Sequence, residues 1–159
     1  MPAKRPARPR RLQPVTPPAM YSVPILLGLI MAAATPQTSD VEIRLEKLRN
    51  ERGVLHVCLT REPAHFPDCG KDPAAVKRTI LSATGPIRIT GMDRGTYALT
   101  IFHDENGNGK LDTLLGIPRE GFGFSRNPVV RFGPPRFDQV RFQIAAGLSR
   151  QTLRMQYLL

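Results

Sequence analysis

With 159 residues and a formal charge of +10 from 23 basic and 13 acidic side chains, the chain is long enough for one domain and a leader. Lys4, Arg5, Arg8, Arg10 and Arg11 supply half of that excess, so the part beyond residue 34 carries +5. There the basic residues are interspersed with acids, which excludes the clustered footprint of a nucleic-acid binder.

Residues 1–22 are basic and proline-rich with no acid, and an apolar run over 23–34 follows, closing on Ala32-Ala33-Ala34. A basic start, about a dozen apolar residues and a small-x-small exit predict a secretory signal peptide over 1–34, cleaved before Thr35. The run falls short of the roughly 20 apolar residues that span a bilayer, so no stable transmembrane segment is expected after cleavage. A signal anchor and an internal start at Met20 are the alternatives, and the second would lose the basic residues. The expected location is periplasmic or secreted.

Residues 41–46 alternate apolar and charged, the period of a half-buried strand, and Asn50-Glu51-Arg52-Gly53 is a turn. A second strand over 54–60 sets Leu55, Val57 and Leu59 on one face, with His56 and Cys58 on the other. In an exported chain Cys58 and Cys69 are expected as a disulfide, contributing roughly 3 kcal/mol through loop closure. A zinc site completed by His56 and His65 is the alternative. Residues 63–72 read as loop, and Asp72-Pro73 is placed to cap a helical turn through Arg78. Strand segments are expected over 78–83 and 86–90. After the turn Met92-Asp93-Arg94-Gly95, a strand over 96–102 puts Tyr97, Leu99 and Ile101 on one face.

That strand leads directly into His103-Asp104-Glu105-Asn106-Gly107-Asn108-Gly109-Lys110-Leu111-Asp112. Oxygen side chains at alternate positions, a glycine bend and a further carboxylate give the spacing with which a loop wraps calcium. Asp104, Asn106 and Asn108 would supply side-chain oxygens, Lys110 its backbone carbonyl, and Asp112 a direct or water-mediated ligand. Leu115 stands where a full helix–loop–helix site has its bidentate glutamate, and Glu120 is the nearest candidate to fill that gap. So few carboxylates imply weak affinity, on the order of 10⁻⁴–10⁻³ M. Asn-Gly and Gly-Asn-Gly also turn tightly without any ion, so a plain hairpin remains the competing interpretation. His103 reads as structural, bonded to a loop carbonyl, or alternatively as a general base. A Ser125–His103–Asp104 set lacks nucleophile-elbow context.

Residues 115–137 form a long loop with Phe122, Phe124, Phe132 and Phe137 set among Arg119, Arg126, Arg131 and Arg136. Either the aromatic rings close one end of the core, or Arg119, Phe122, Phe124 and Arg126 form a candidate surface for an anionic or sugar-like ligand. Residues 138–144 alternate again, and residues 151–159 align Leu153, Met155 and Tyr157. Short strands with no long helical period predict an all-β antiparallel sandwich of about seven strands, a single domain over 35–159.

The runs Gly95-Thr96-Tyr97, Phe102 through Asp112, Gly116-Ile117-Pro118-Arg119-Glu120-Gly121-Phe122-Gly123-Phe124-Ser125 and Phe132-Gly133-Pro134-Pro135 resemble the domain-of-unknown-function 2141 family of bacterial secreted proteins, over roughly residues 41–158. The resemblance implies an Ig-like or prealbumin-like β-sandwich and export, and it brings no activity. The expected function is a non-catalytic extracytoplasmic binding or structural module, stabilised by calcium and engaging an unidentified extracytoplasmic ligand or protein. An extracytoplasmic hydrolase using His103 and nearby carboxylates is the alternative.

Overall fold

The computed structural model describes residues 38–82 and 85–159. The expected leader over 1–34, its cleavage point, Met20 and the end of the strand expected at Ala83 lie outside the described residues. In chain order the elements are β1 (Ser39–Glu46), β2 (Val54–Thr60), β3 (Val76–Leu81), β4 (Ile87–Met92), β5 (Gly95–Asp104), β6 (Thr113–Leu114), β7 (Ile117–Pro118), β8 (Gly121–Phe124), α1 (Phe137–Val140), β9 (Phe142–Ile144) and β10 (Gly147–Arg154). The fold is all-β.

Alternation in the sequence decides which side chains meet. One large sheet runs β10-β1-β4 and the other β3-β2-β5-β8, with β9 pairing β5, while β6 and β7 pair as a separate two-stranded hairpin. Val41 and Ile43 of β1, Ile87 and Ile89 of β4 and Leu153 of β10 are buried in one cluster with Leu55, Val57 and Leu59 of β2 and Leu99 and Ile101 of β5. Each fully buried side chain of this kind stabilises the fold by about 1.5–3 kcal/mol relative to exposure. A second cluster beside it joins Ala98, Phe122, Phe124 and Val140. All of these residues lie between Val41 and Met155, inside the compact unit Thr35–Leu159. That unit therefore contains both clusters found among the described residues, as a unit that folds by itself requires.

Four local expectations are corrected. β1 and β10 pair in parallel, whereas the other strand pairs run antiparallel. The two strands are far apart in sequence, and a parallel pair needs a long crossover of this kind. The helical turn expected from Asp72 stops early. Asp72 accepts the Ala74 N–H at 2.9 Å, but by Val76 the backbone is paired with Leu59 across β2 and β3. The alternating run over 138–144 is split, because Arg141 N–H donates to the Phe137 carbonyl and Gln139 folds back on Arg136 N–H at 2.7 Å. The resulting turn of helix buries Val140 in the second cluster. Finally, the stretch 115–137 has structure of its own: β7 and β8 lie within it, and β8 extends the five-stranded sheet beside β5.

Cys58 and Cys69 form a disulfide with their Cα atoms 6.3 Å apart, which removes both thiolates from any zinc site. It ties the outer face of β2 to a 3-10 turn at Cys69–Lys71. Among the described residues, no helix is long and apolar enough to cross a membrane.

Candidate metal centre

β5 delivers Asp104 to the end of the five-stranded sheet, where its side chain is completely buried. The chain then turns around that carboxylate. Oδ1 accepts the backbone N–H groups of Gly107 at 2.7 Å and Asn108 at 3.1 Å. Oδ2 accepts Gly109 N–H at 2.7 Å and the His56 imidazole, through Nε2, at 3.1 Å. Burial acts to raise the pKa of Asp104, but the hydrogen bonds from Gly109, His56, Asn108 and Gly107 outweigh it and leave the group below its usual value. Gly107 and Gly109 have φ of +74° and +76°, the left-handed conformation that glycine adopts without a steric penalty.

The remaining oxygen side chains gather at the exposed mouth of this wrap. Asn106 Oδ1 accepts Asn108 N–H at 3.0 Å, and Asn108 Oδ1 accepts Lys110 N–H at 2.8 Å. Their amide groups both donate to Asp112, at 2.7 Å from Asn106 and 2.9 Å from Asn108. Asn106, Asn108 and Asp112 thus meet side chain to side chain, while the Asp104 carboxylate meets the backbone of the same loop. The self-satisfied turn geometry that competes with a metal loop is also present in full.

Glu120 does fold back, and it lands on backbone. One carboxylate oxygen accepts Glu105 N–H at 2.9 Å and the other Asp112 N–H at 3.0 Å. It is buried and clamps the two shoulders of the loop together. On the outer side Glu105 pairs with Arg49 and with Arg52 at 3.2 Å, and accepts from the Asn50 amide at 2.7 Å. Burial alone would raise the Glu105 pKa; Asn50 and Arg49 bring it below the ordinary carboxylate value. Gly53 completes the contact from beneath, since a Cβ there would collide with the Asp104 carbonyl oxygen.

His103 has both ring nitrogens engaged inside the fold. It is fully buried, bonds the Arg52 carbonyl through Nε2 at 2.7 Å and meets the Tyr157 hydroxyl at Nδ1 at 2.9 Å. Ser125 bonds the Val140 carbonyl at 2.6 Å, so the Ser125–His103–Asp104 set does not assemble. The candidate ligand surface fails as well. Phe122 and Phe124 are only 5% exposed and belong to the core, while Arg119 and Arg126 are exposed. Small cores gain most from burying their aromatic rings.

Sequence reasoning missed the contact of His56 with Asp104. His56 stacks on Phe102 at 4.4 Å between ring centroids and accepts the Thr79 hydroxyl at 3.0 Å while holding Asp104. Its position opposite Phe102 follows from the register of β2 against β5, which no local pattern reveals.

A cation here would be held by hard oxygen donors. Among the described residues no three His, Cys, Asp or Glu side chains gather in a metal-binding group, so the donor set relies on amide and carbonyl oxygens, as calcium tolerates. Asp104 has its acceptor positions filled, whereas Asp112 is held only by two side-chain amides. Replacing those amides with an ion leaves the backbone hydrogen bonds of the wrap intact, and each Asn oxygen keeps a second lone pair.

Residues 43–152 match a family described as uncharacterized protein conserved in bacteria (DUF2141). The chain belongs to that family. No curated protein and no solved structure matches it.

Proposed function

We propose that this DUF2141 member is an extracytoplasmic, non-catalytic binding or structural module with an Ig-like or prealbumin-like sandwich, stabilised by a low-affinity calcium loop over 104–112. One observation carries the reading. The backbone is already wrapped around buried Asp104, with Asn106, Asn108 and Asp112 converging at the mouth. The charge pattern and apolar run of residues 1–34 support export. The engagement of both His103 ring nitrogens inside the fold favours a structural role for the loop end over a general base.

The test is thermal unfolding of Thr35–Leu159 in EDTA and in millimolar calcium. Stabilisation of about 1–3 kcal/mol is expected when free calcium is well above Kd. Superimposable curves reject the metal.

A hydrolase is the second reading, moved from His103 to the line Thr79–His56–Asp104, whose contacts of 3.0 and 3.1 Å have the order hydroxyl, imidazole, carboxylate. A Thr79→Ala variant that stays folded but loses an activity found by ester screening would establish it.

A further inference from the structure

The sheet β10-β1-β4 turns a charged face away from the core. Val41 and Ile43 are buried between the sheets, so Glu42 and Arg44 belong to the opposite face of β1. Register then sets Arg150 of β10 and Arg88 of β4 beside Glu42, one on each flank. Three strands thus carry Arg150, Glu42 and Arg88 in a single row, roughly 4.8 Å from one strand to the next. Arg44 stands two residues along β1, opposite Thr152.

Glu42 is 8% exposed and gathers all three guanidinium groups. Its Oε1 accepts from Arg44 Nε at 3.2 Å and lies 3.6 Å from Arg150 Nε, while Oε2 accepts from Arg88 Nη2 at 3.4 Å. Three positive charges around one negative leave an excess of +2 in this cluster. Of the other acids on β1, Glu46 is engaged by Arg154 at 3.6 Å, and Asp40 lies one pleat away, opposite Leu148.

Arg49 shows what a structural arginine looks like in the same molecule. Its guanidinium is spent on the carbonyls of Leu159 and Arg119, on Glu105 and over the Tyr157 ring. Arg44, Arg88 and Arg150 reach Glu42 through one nitrogen apiece and, among the described residues, make no other side-chain hydrogen bond. Their side chains are 66%, 57% and 68% exposed. Exposed ion pairs of this kind add little stability, and one carboxylate does not need three of them. What Glu42 does supply is orientation. It holds long side chains in place before any ligand arrives, which lowers the cost of ordering them on binding.

We propose that Arg44, Arg88 and Arg150, positioned by Glu42, bind a phosphate monoester. Charge decides the class. Such a group carries about two negative charges at neutral pH, which matches the excess of the cluster. Its terminal oxygens suit the paired N–H groups that a guanidinium presents. A phosphodiester carries one charge and leaves the cluster half neutralised. The site lies on the sheet opposite the loop over 104–112, and the inference does not rest on the metal.

The test is calorimetric titration of the purified protein in low salt, slightly above neutral pH, with methyl phosphate as the dianion and dimethyl phosphate as the monoanion. Methyl phosphate should bind about tenfold more tightly. Arg150→Gln and Arg88→Gln should each weaken its binding by about tenfold and leave the melting temperature unchanged, since both side chains are exposed. Arg150→Lys keeps the charge and loses the planar fork, so it should still bind several-fold more weakly. Titrations in calcium and in EDTA should coincide, so this inference and the metal reading stand or fall separately.

Equal affinity for the two phosphates overturns the inference, as does an Arg150→Lys variant that binds like the parent. Either result describes a diffuse positive field and not a site. The absence of saturable binding by methyl phosphate overturns it as well. Vesicles of phosphatidylcholine with phosphatidic acid then separate the two sources of such a group. Co-sedimentation that Arg150→Gln removes supports the inference and assigns the phosphate to a lipid headgroup. Binding of methyl phosphate without co-sedimentation supports it and assigns a soluble ester.

Discussion

The region where the two sheets meet and the loop end from Asp104 to Glu120 are held by opposite chemistry. Between the sheets, Ile43, Leu55, Leu99 and Leu153 are fully buried and apolar, and their stabilisation scales with area removed from water. At the loop end the buried groups are carboxylates. Asp104 and Glu120 together accept five backbone N–H groups, from Gly107, Asn108, Gly109, Glu105 and Asp112. The first region depends on shape, and Ile43, Leu55, Leu99 and Leu153 carry no group that takes up a proton or binds a divalent cation. The second depends on a few charges, so protonation of Asp104 acts on it without touching the apolar core.

Truncation in each region should expose that difference. Leu99→Ala should cost about 4 kcal/mol, because it leaves a cavity in the shared core, and urea midpoints should show the same loss with and without calcium. Asp104→Ala should cost about 3 kcal/mol by stranding three backbone donors and His56, and it should abolish any calcium-dependent shift. If the two variants respond identically to calcium, the contrast between the regions is broken. Glu120→Gln is milder, about 1–2 kcal/mol, since one acceptor oxygen remains while the amide opposes the other N–H. Its signature is local: amide exchange should accelerate at Glu105 and Asp112 and stay unchanged in β2 and β5.

Legibility in the sequence followed the same division. β2 and β5 could be placed from alternation alone, because one buried face forces a period of two. The wrap at 104–112 was legible because Gly, Asn and Asp report their own backbone geometry. What escaped was set by partners distant in the chain. The parallel pairing of β1 with β10 leaves no local mark. Neither does the His56–Asp104 contact, fixed by strand register. Phe122 and Phe124 could be read as core or as ligand surface because glycines alternate with them, and those glycines are there for close packing: a Cβ at Gly121 would strike the Tyr157 ring. Glu120 was identified as a residue that folds back, but its targets are N–H groups, which sequence spacing could not distinguish from an ion.

Acid should sharpen the comparison most gently. Asp104 and Glu105 both have pKa values held below those of free carboxyls, and unfolded chains titrate near pH 4. As pH falls below about 4 the unfolded chain takes up protons that the folded loop refuses. The stabilisation from these two groups is therefore complete above that range and drains away as pH drops through the folded values. Urea midpoints measured from pH 6 down to pH 3 should decline for the parent chain and for Leu99→Ala in parallel, because the cavity variant keeps both carboxylates. Asp104→Asn starts lower and should follow a shallower slope, having lost one of the groups that titrates. A slope in Asp104→Asn as steep as the parent's would assign the acid sensitivity to carboxylates outside the loop, such as Glu42 among Arg88, Arg44 and Arg150 on the opposite sheet, and the loop would then be no more responsive to protons than the face of β1.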